Sequence, residues 1–452
     1  MSIETSDDVR APRLRRSLTL WNLIVCGIVL VQPTAPMPVF GVVHNQARGH
    51  VVTTLLFGMV AMLFTAISYG RMAQAYPSAG SAYSYASREL HPWAGYIAGW
   101  GMLMEYIFSP LISVIWCSKA VQNIIPALPY WIAAIFFALL FTAANLHGIR
   151  TSARINELLA TFMAVVIVMF FAAVVHHVLL RPAANATFYL HPFYNRETFS
   201  AQALFSGTSI AVLTYMGFDG VSTLSEEARN PHRDILLATV LVCVITGLLA
   251  SLQVYAAQLI WPPDRAFSRQ KVDTAFSYVA GIAGGSIMFH LVNFTLLIAN
   301  IGSGMGSQAA AARLLYGMGR AGAMPQRFFA TIEPRRGIPV NNVLFVGAAA
   351  FIGALAFNYA AGVELLNFGA FVAFLGVNAA AFAHAFRHDS QKRLLRLPTP
   401  VLGFLVCLFL WWNLGVRTKI LGTLCLALAL VYGAYAARRW RPDLVELENE
   451  QA

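Results

Sequence analysis

Gln32-Pro33-Thr34-Ala35-Pro36-Met37-Pro38 lies inside the first long apolar stretch of this 452-residue chain. Three prolines so close together cannot continue a helix, because each lacks an N–H and its ring clashes with the preceding turn. In hydrocarbon the freed carbonyls find no water. An unwound stretch at mid-depth is tolerated only where it lines a cavity or is buried in protein. One proline would read as a kink in a packing helix; three, set among Gln and Thr, read as a break with a purpose.

The rest of the chain places that stretch in a bilayer. It is 58% hydrophobic and 11% charged, whereas soluble domains carry roughly 25% charged residues. Apolar spans, most near the roughly 20 residues a bilayer demands, fall at 19–42, 51–75, 92–122, 127–147, 155–179, 200–225, 232–260, 275–316, 340–358, 361–386, 398–415 and 419–437. They predict an all-α membrane protein of about 12 transmembrane helices. An even number puts both termini on one side. Lys and Arg in the tails and even-numbered loops outnumber those on the other face by more than two to one, with rich stretches at 313–336 and 387–396. Both termini are therefore expected in the cytoplasm. The net charge of +11 reports orientation, and no nucleic-acid partner is expected.

The five cysteines (Cys26, Cys117, Cys243, Cys407, Cys425) all fall in apolar spans. They show neither a disulfide framework nor a metal-ligand spacing. The histidines are scattered, so no metal and no resident cofactor are expected. The first span is too long for the apolar part of a cleaved leader. The longest polar stretches, 181–199, 261–274 and 317–339, cannot bury a core of their own, which confines the activity to the membrane.

A second interruption reads Tyr215-Met216-Gly217-Phe218-Asp219-Gly220, inside the sixth span. An acid among apolar residues is costly and faces a polar cavity or a partner. Gly217 and Gly220 permit local unwinding. Asp219 either lines the cavity or caps the half-helix that follows. Breaks five helices apart are what an inverted repeat of five helices gives, with a substrate site near the midplane between half-helices. The ten-helix core is then 19–386, with repeat one at about 19–180 and repeat two at about 200–386. Two peripheral helices occupy 398–437, and 1–18 and 438–452 are cytoplasmic tails.

Further motifs carry a family likeness. Tyr76-Pro77-Ser78-Ala79-Gly80-Ser81-Ala82-Tyr83-Ser84-Tyr85 follows the second span, and Ser225-Glu226-Glu227-Ala228-Arg229-Asn230-Pro231 follows the sixth. Arg313-Leu314-Leu315-Tyr316-Gly317-Met318-Gly319-Arg320, then Met324-Pro325, follows the eighth. On these the chain resembles the amino acid–polyamine–organocation superfamily over spans one to ten. Trp100-Gly101-Met102-Leu103-Met104-Glu105-Tyr106 and the run from Gly217 to Glu227 are similar to the bacterial putrescine importer subgroup. The resemblance implies a secondary active transporter working by alternating access in the bacterial cytoplasmic membrane. It implies a small amine or amino acid as substrate and a coupling proton or sodium ion. Amino-acid members usually hold the substrate carboxylate on N–H groups of a glycine-rich first break; the prolines here cannot donate. Some proton-coupled members carry a lysine in the fifth span, where this chain reads Thr161-Phe162-Met163.

A diamine needs an acceptor at each end. Glu105 and Asp219 are the acids most clearly inside apolar spans, and each can meet an ammonium in a charge-assisted hydrogen bond. Gln32, Thr34, Pro36, Tyr106, Tyr215, Phe218 and Gly220 complete the expected substrate site, with cation–π contacts from the aromatics. Glu105, Asp219, Glu226, Glu227 and Phe368 are the expected coupling and gating residues. His290, Asn293 and Asn300, near the small residues of span eight, read as helix packing. Two other readings remain. A neutral or cationic amino acid permease or exchanger fits the same family. A membrane enzyme on lipid-linked substrate would need a His, Asp or Arg cluster that the sequence does not display. No nucleotide-binding loop is present to supply ATP drive. The sequence carries no signal of oligomeric state.

Overall fold

The computed structural model describes residues 18–436 apart from 77–80, 148–152, 181–185, 226–227, 263, 321, 323, 334–337 and 389–392. Glu226 and Glu227 thus lie outside the described residues. Eight helices are long and apolar enough to cross a bilayer, and the pair Leu20–Val31 and Pro36–Gln46, bent by 55°, makes a further broken span. Apolar helices of 17 residues, Tyr130–Leu146 and Val340–Ala356, take the fourth and ninth places. The sixth place holds a discontinuous segment: the α-helix Ala201–Ala211, the 3-10 turn Val212–Tyr215 and, past a gap, the 3-10 helix Asp219–Leu224. These are the twelve expected segments. The described residues form no strand, only two isolated bridges, so the fold is all-α.

The packing obeys an exchange rule. The second span packs on the seventh. The third packs on the tenth, and the eighth on the fifth; the first packs on the seventh, and the sixth on the second. Each pairing survives when every helix is swapped for its counterpart five spans away. Five is odd, so the second set enters the bilayer from the opposite face. Large apolar side chains such as Phe57, Phe136, Val168, Leu248 and Ile352 point outward, as they should where the surrounding lipid is as apolar as they are.

Two features departed from the sequence reading. The segment after the second span forms a helix, Ser81–Glu89, that buries Ala82, Tyr85 and Ala86. It is too short to register as a span. The eighth span, expected as one helix, is Ala275–Arg320 with a kink at Gly284 and Gly285, the latter at φ 71°. Its first part packs across the second half-helix of the first span, Pro36–Gln46: Phe276 meets Phe40 edge-on, ring centroids 5.6 Å apart. A helix of 46 residues would reach roughly 69 Å, far beyond one bilayer crossing, and the glycine pair divides it.

The third and tenth spans approach through glycine on glycine. A Cβ at Gly369 would lie 2.5 Å from the Gly101 carbonyl oxygen and 3.1 Å from the Glu105 backbone nitrogen. Gly369→Val is therefore expected to force these helices apart. Detergent-solubilised protein should lose several degrees of melting temperature, following the roughly 1–3 kcal/mol that overpacking costs. An unchanged melting curve would show that the approach is looser than described.

Candidate functional site

The two breaks meet. The first half-helix ends at Val31, and Gln32 turns the chain with φ 69°. Gly217 has φ +110°, and a Cβ there would lie 2.9 Å from the Leu30 carbonyl oxygen. Only glycine combines that dihedral with so close an approach, so Gly217 seats the sixth-span break against the first.

At the first break, few backbone donors are left over. The Gln32 N–H goes to the Ile28 carbonyl, Ala35 N–H to the Gln32 carbonyl and Met37 N–H to the Thr34 carbonyl, at 3.0–3.1 Å. Pro33, Pro36 and Pro38 have none. Pro36 does not break the second half-helix; it opens it, at the first helical position where a proline is tolerated. The Pro33 carbonyl accepts from Gln253 Nε2 of the seventh span at 2.9 Å. Gln32 Nε2 donates to the Ala299 carbonyl of the eighth span at 3.3 Å, and Thr34 Oγ1 lies 3.9 Å from Met163 Sδ of the fifth. The break is clasped by three neighbouring helices.

At the second break the donors are also largely occupied. The Asp219 Oδ1 accepts from the Gly217 N–H at 3.2 Å, and the N–H groups of Met216, Phe218 and Gly220 go to the Leu213, Tyr215 and Gly217 carbonyls at 3.1–3.3 Å. The Asp219 carbonyl takes the Ser222 hydroxyl at 2.6 Å. The carboxyl thus ties down the turn before the 3-10 helix, whose N-cap position is Phe218 and carries no side-chain cap bond. A carboxylate can accept about four hydrogen bonds, so the bond to Gly217 leaves it acceptor capacity.

Glu105, held beside the Gly101–Gly369 crossing, is buried and makes no hydrogen bond to any described residue. It lies close enough to Asp219 for the two carboxyls to act on each other, and Tyr69 and Tyr106 share their field. The Tyr69 hydroxyl is buried with no hydrogen-bond partner among the described residues. Around these polar groups stands an aromatic wall. Tyr69 meets Phe218 and Phe374 edge-on at 5.7 and 5.8 Å, and Phe218 meets Phe374 at 5.5 Å.

Of the expected site residues, the structure therefore gathers Glu105, Tyr106, Phe218, Asp219 and Gly220 at the breaks, with Gln32, Thr34 and Pro36 in the neighbouring clasp. Two point elsewhere. Tyr215 is wedged between Gly58 and Gly247 and donates its hydroxyl to the Leu55 carbonyl at 2.6 Å. Phe368 faces the peripheral helices, 5.5 Å from Trp411 and against Gly422. The place expected for Phe368 is held by Phe374. In span eight, Asn293 bonds the Ala120 carbonyl and Asn300 its own helix, as packing residues do. Sequence reasoning missed Tyr69, Phe374 and Gln253. None has a local signal: an aromatic or amide in an apolar span looks alike on either face.

The end of the bundle that carries Leu18 is fastened separately. Glu89, buried at the end of the Ser81–Glu89 helix, accepts from the Tyr76 hydroxyl at 2.7 Å, and its carboxyl meets His384 Nδ1 of the tenth span at 2.5 Å. Arg387 lies 3.5 Å from the same carboxyl. Burial, then the bond to Glu89, pushes the Tyr76 phenol up to about 12, so it remains a donor.

A twelve-segment helical bundle whose two unwound stretches meet around buried acids has the architecture of a broken-helix membrane transporter. The chain belongs to the amino acid permease family, whose model matches residues 37–441. It is 31% identical to the low-affinity putrescine importer PlaP of Escherichia coli K12, over 99% of this chain and 100% of that one. It is 25% identical to the branched-chain amino acid permease BcaP of Lactococcus lactis, over 93% and 95% of the two chains. It is 22% identical to the methylthioribose transporter of Bacillus subtilis, over 95% of each. The chain is a multi-pass membrane permease and not an enzyme.

Proposed function

We propose that this permease imports a small amine of the putrescine kind by ion-coupled alternating access, in a bacterial cytoplasmic membrane with both termini in the cytoplasm. One observation carries the reading: most backbone donors at both breaks are already spent, while two buried carboxyls stand beside them. An α-amino acid needs N–H groups for its carboxylate. The first break offers prolines and N–H groups mostly bonded internally, and the second gives its N–H groups to its own carbonyls and to Asp219. An ammonium needs acceptors, and Glu105 and Asp219 supply them. The likeness to a putrescine importer agrees with this.

The test is uptake of labelled putrescine into proteoliposomes, competed by a panel of amino acids. Saturable putrescine uptake that neutral amino acids do not compete is expected. Uptake of a neutral amino acid that putrescine cannot compete would overturn the amine reading. Collapsing the proton and sodium gradients in turn identifies the coupling ion.

A further inference from the structure

We propose that Glu89, His384 and His388 form a binding site for a divalent transition-metal ion of the zinc class, and that its occupancy holds the Leu18 end of the bundle shut. His384 and His388 stand one helical turn apart on the tenth span, with ring centroids 4.8 Å from each other. One nitrogen from each and one Glu89 oxygen all lie within 4.8 Å of one another. Ligand atoms around tetrahedral zinc sit roughly 3.3 Å apart, since each bond is about 2.0–2.1 Å. His384 and Glu89 begin closer than that, at 2.5 Å, and His388 lies within 4.8 Å of both, so small side-chain rotations close the set. His388 is exposed near the end of its helix and free to make its share of the movement.

The donor chemistry suits the ion. Two imidazoles and one carboxylate bind zinc and its neighbours, and leave a fourth position for water. The outer support that such sites need is in place, because the Tyr76 hydroxyl already holds the Glu89 carboxyl. Arg387 opposes binding. Its side chain is 55% exposed, sits 3.5 Å from the carboxyl and donates to the Glu89 backbone carbonyl at 2.5 Å; the guanidinium must give up its contact with the carboxyl, which its exposure and long stem allow. The sequence shows only a His-x-x-x-His pair; the third ligand is 295 residues from His384.

The consequence is mechanical. Glu89 belongs to the helix after the second span and the histidines to the tenth. Metal would replace one hydrogen bond with coordinate bonds between elements that must part if this end opens.

The experiment uses the purified full-length protein, with Zn2+ titrated by calorimetry and Co2+ as a spectroscopic probe. Binding of one ion with a tetrahedral Co2+ spectrum is expected. His388→Ala should weaken it by roughly tenfold or more and leave uptake in metal-free buffer unchanged. Zn2+ should slow amide exchange across 81–89 and inhibit uptake in the parent but not in His388→Ala. A variant that binds Zn2+ as the parent does, or an octahedral Co2+ spectrum, overturns the site. Binding without slowed exchange overturns the locking. Neither the calorimetry nor the exchange depends on the substrate, so they stand apart from the amine reading.

Discussion

Glu105→Gln is expected to lower putrescine uptake roughly a hundredfold in kcat/KM, the effect of about 3 kcal/mol when one partner of a buried charge pair is removed. Glu105 is buried, lacks any hydrogen bond to a described residue and shares the field of Asp219. No described residue pairs with its charge, so the substitution should leave the melting temperature within a few degrees of the parent. Exchange between internal and external substrate separates two roles. If Glu105 holds the ammonium, exchange falls with uptake. If it carries only the coupling proton, exchange survives while gradient-driven uptake is lost. Unchanged uptake would remove Glu105 from the site.

Asp219 should behave differently, because it has a structural task as well. Asp219→Asn keeps one oxygen for the Gly217 N–H and loses the charge. It is expected to remain folded and to lose uptake on the scale of Glu105→Gln. Asp219→Ala also removes the bond to the Gly217 N–H, and should destabilise by about 1 kcal/mol more, the usual net worth of a hydrogen bond. The comparison reads out in thermal melts and uptake together. Transport by Asp219→Asn at the parental rate would leave Asp219 a tie for the Gly217 turn and nothing more.

The segment count was legible because lipid enforces it: a span must be long, apolar and helical, and composition alone shows that. The breaks were legible because proline and glycine act on the backbone locally. What a side chain faces is set by neighbours distant in sequence. Tyr215 and Phe218 are three residues apart, yet the turn between them sends one to the Leu55 carbonyl and the other to Tyr69. Phe368 and Phe374 lie on different faces of one helix, and no periodicity says which face holds the site. The Ser81–Glu89 helix hid in a loop because a helix of nine residues stands only by packing. The Gly284–Gly285 kink hid inside an apolar run whose length alone hinted at it.

The prolines of the first break have one more effect, on entropy. A glycine-built break is supple and must be ordered each time a ligand arrives. Here Pro33, Pro36 and Pro38 fix three φ angles before any ligand comes, and Gln253 pins the Pro33 carbonyl. Chain with little freedom has little to surrender on binding. The same stiffness removes the means to mould itself around unlike guests. A break of this kind trades breadth of substrate for readiness, and the range of substrates it accepts should be narrow.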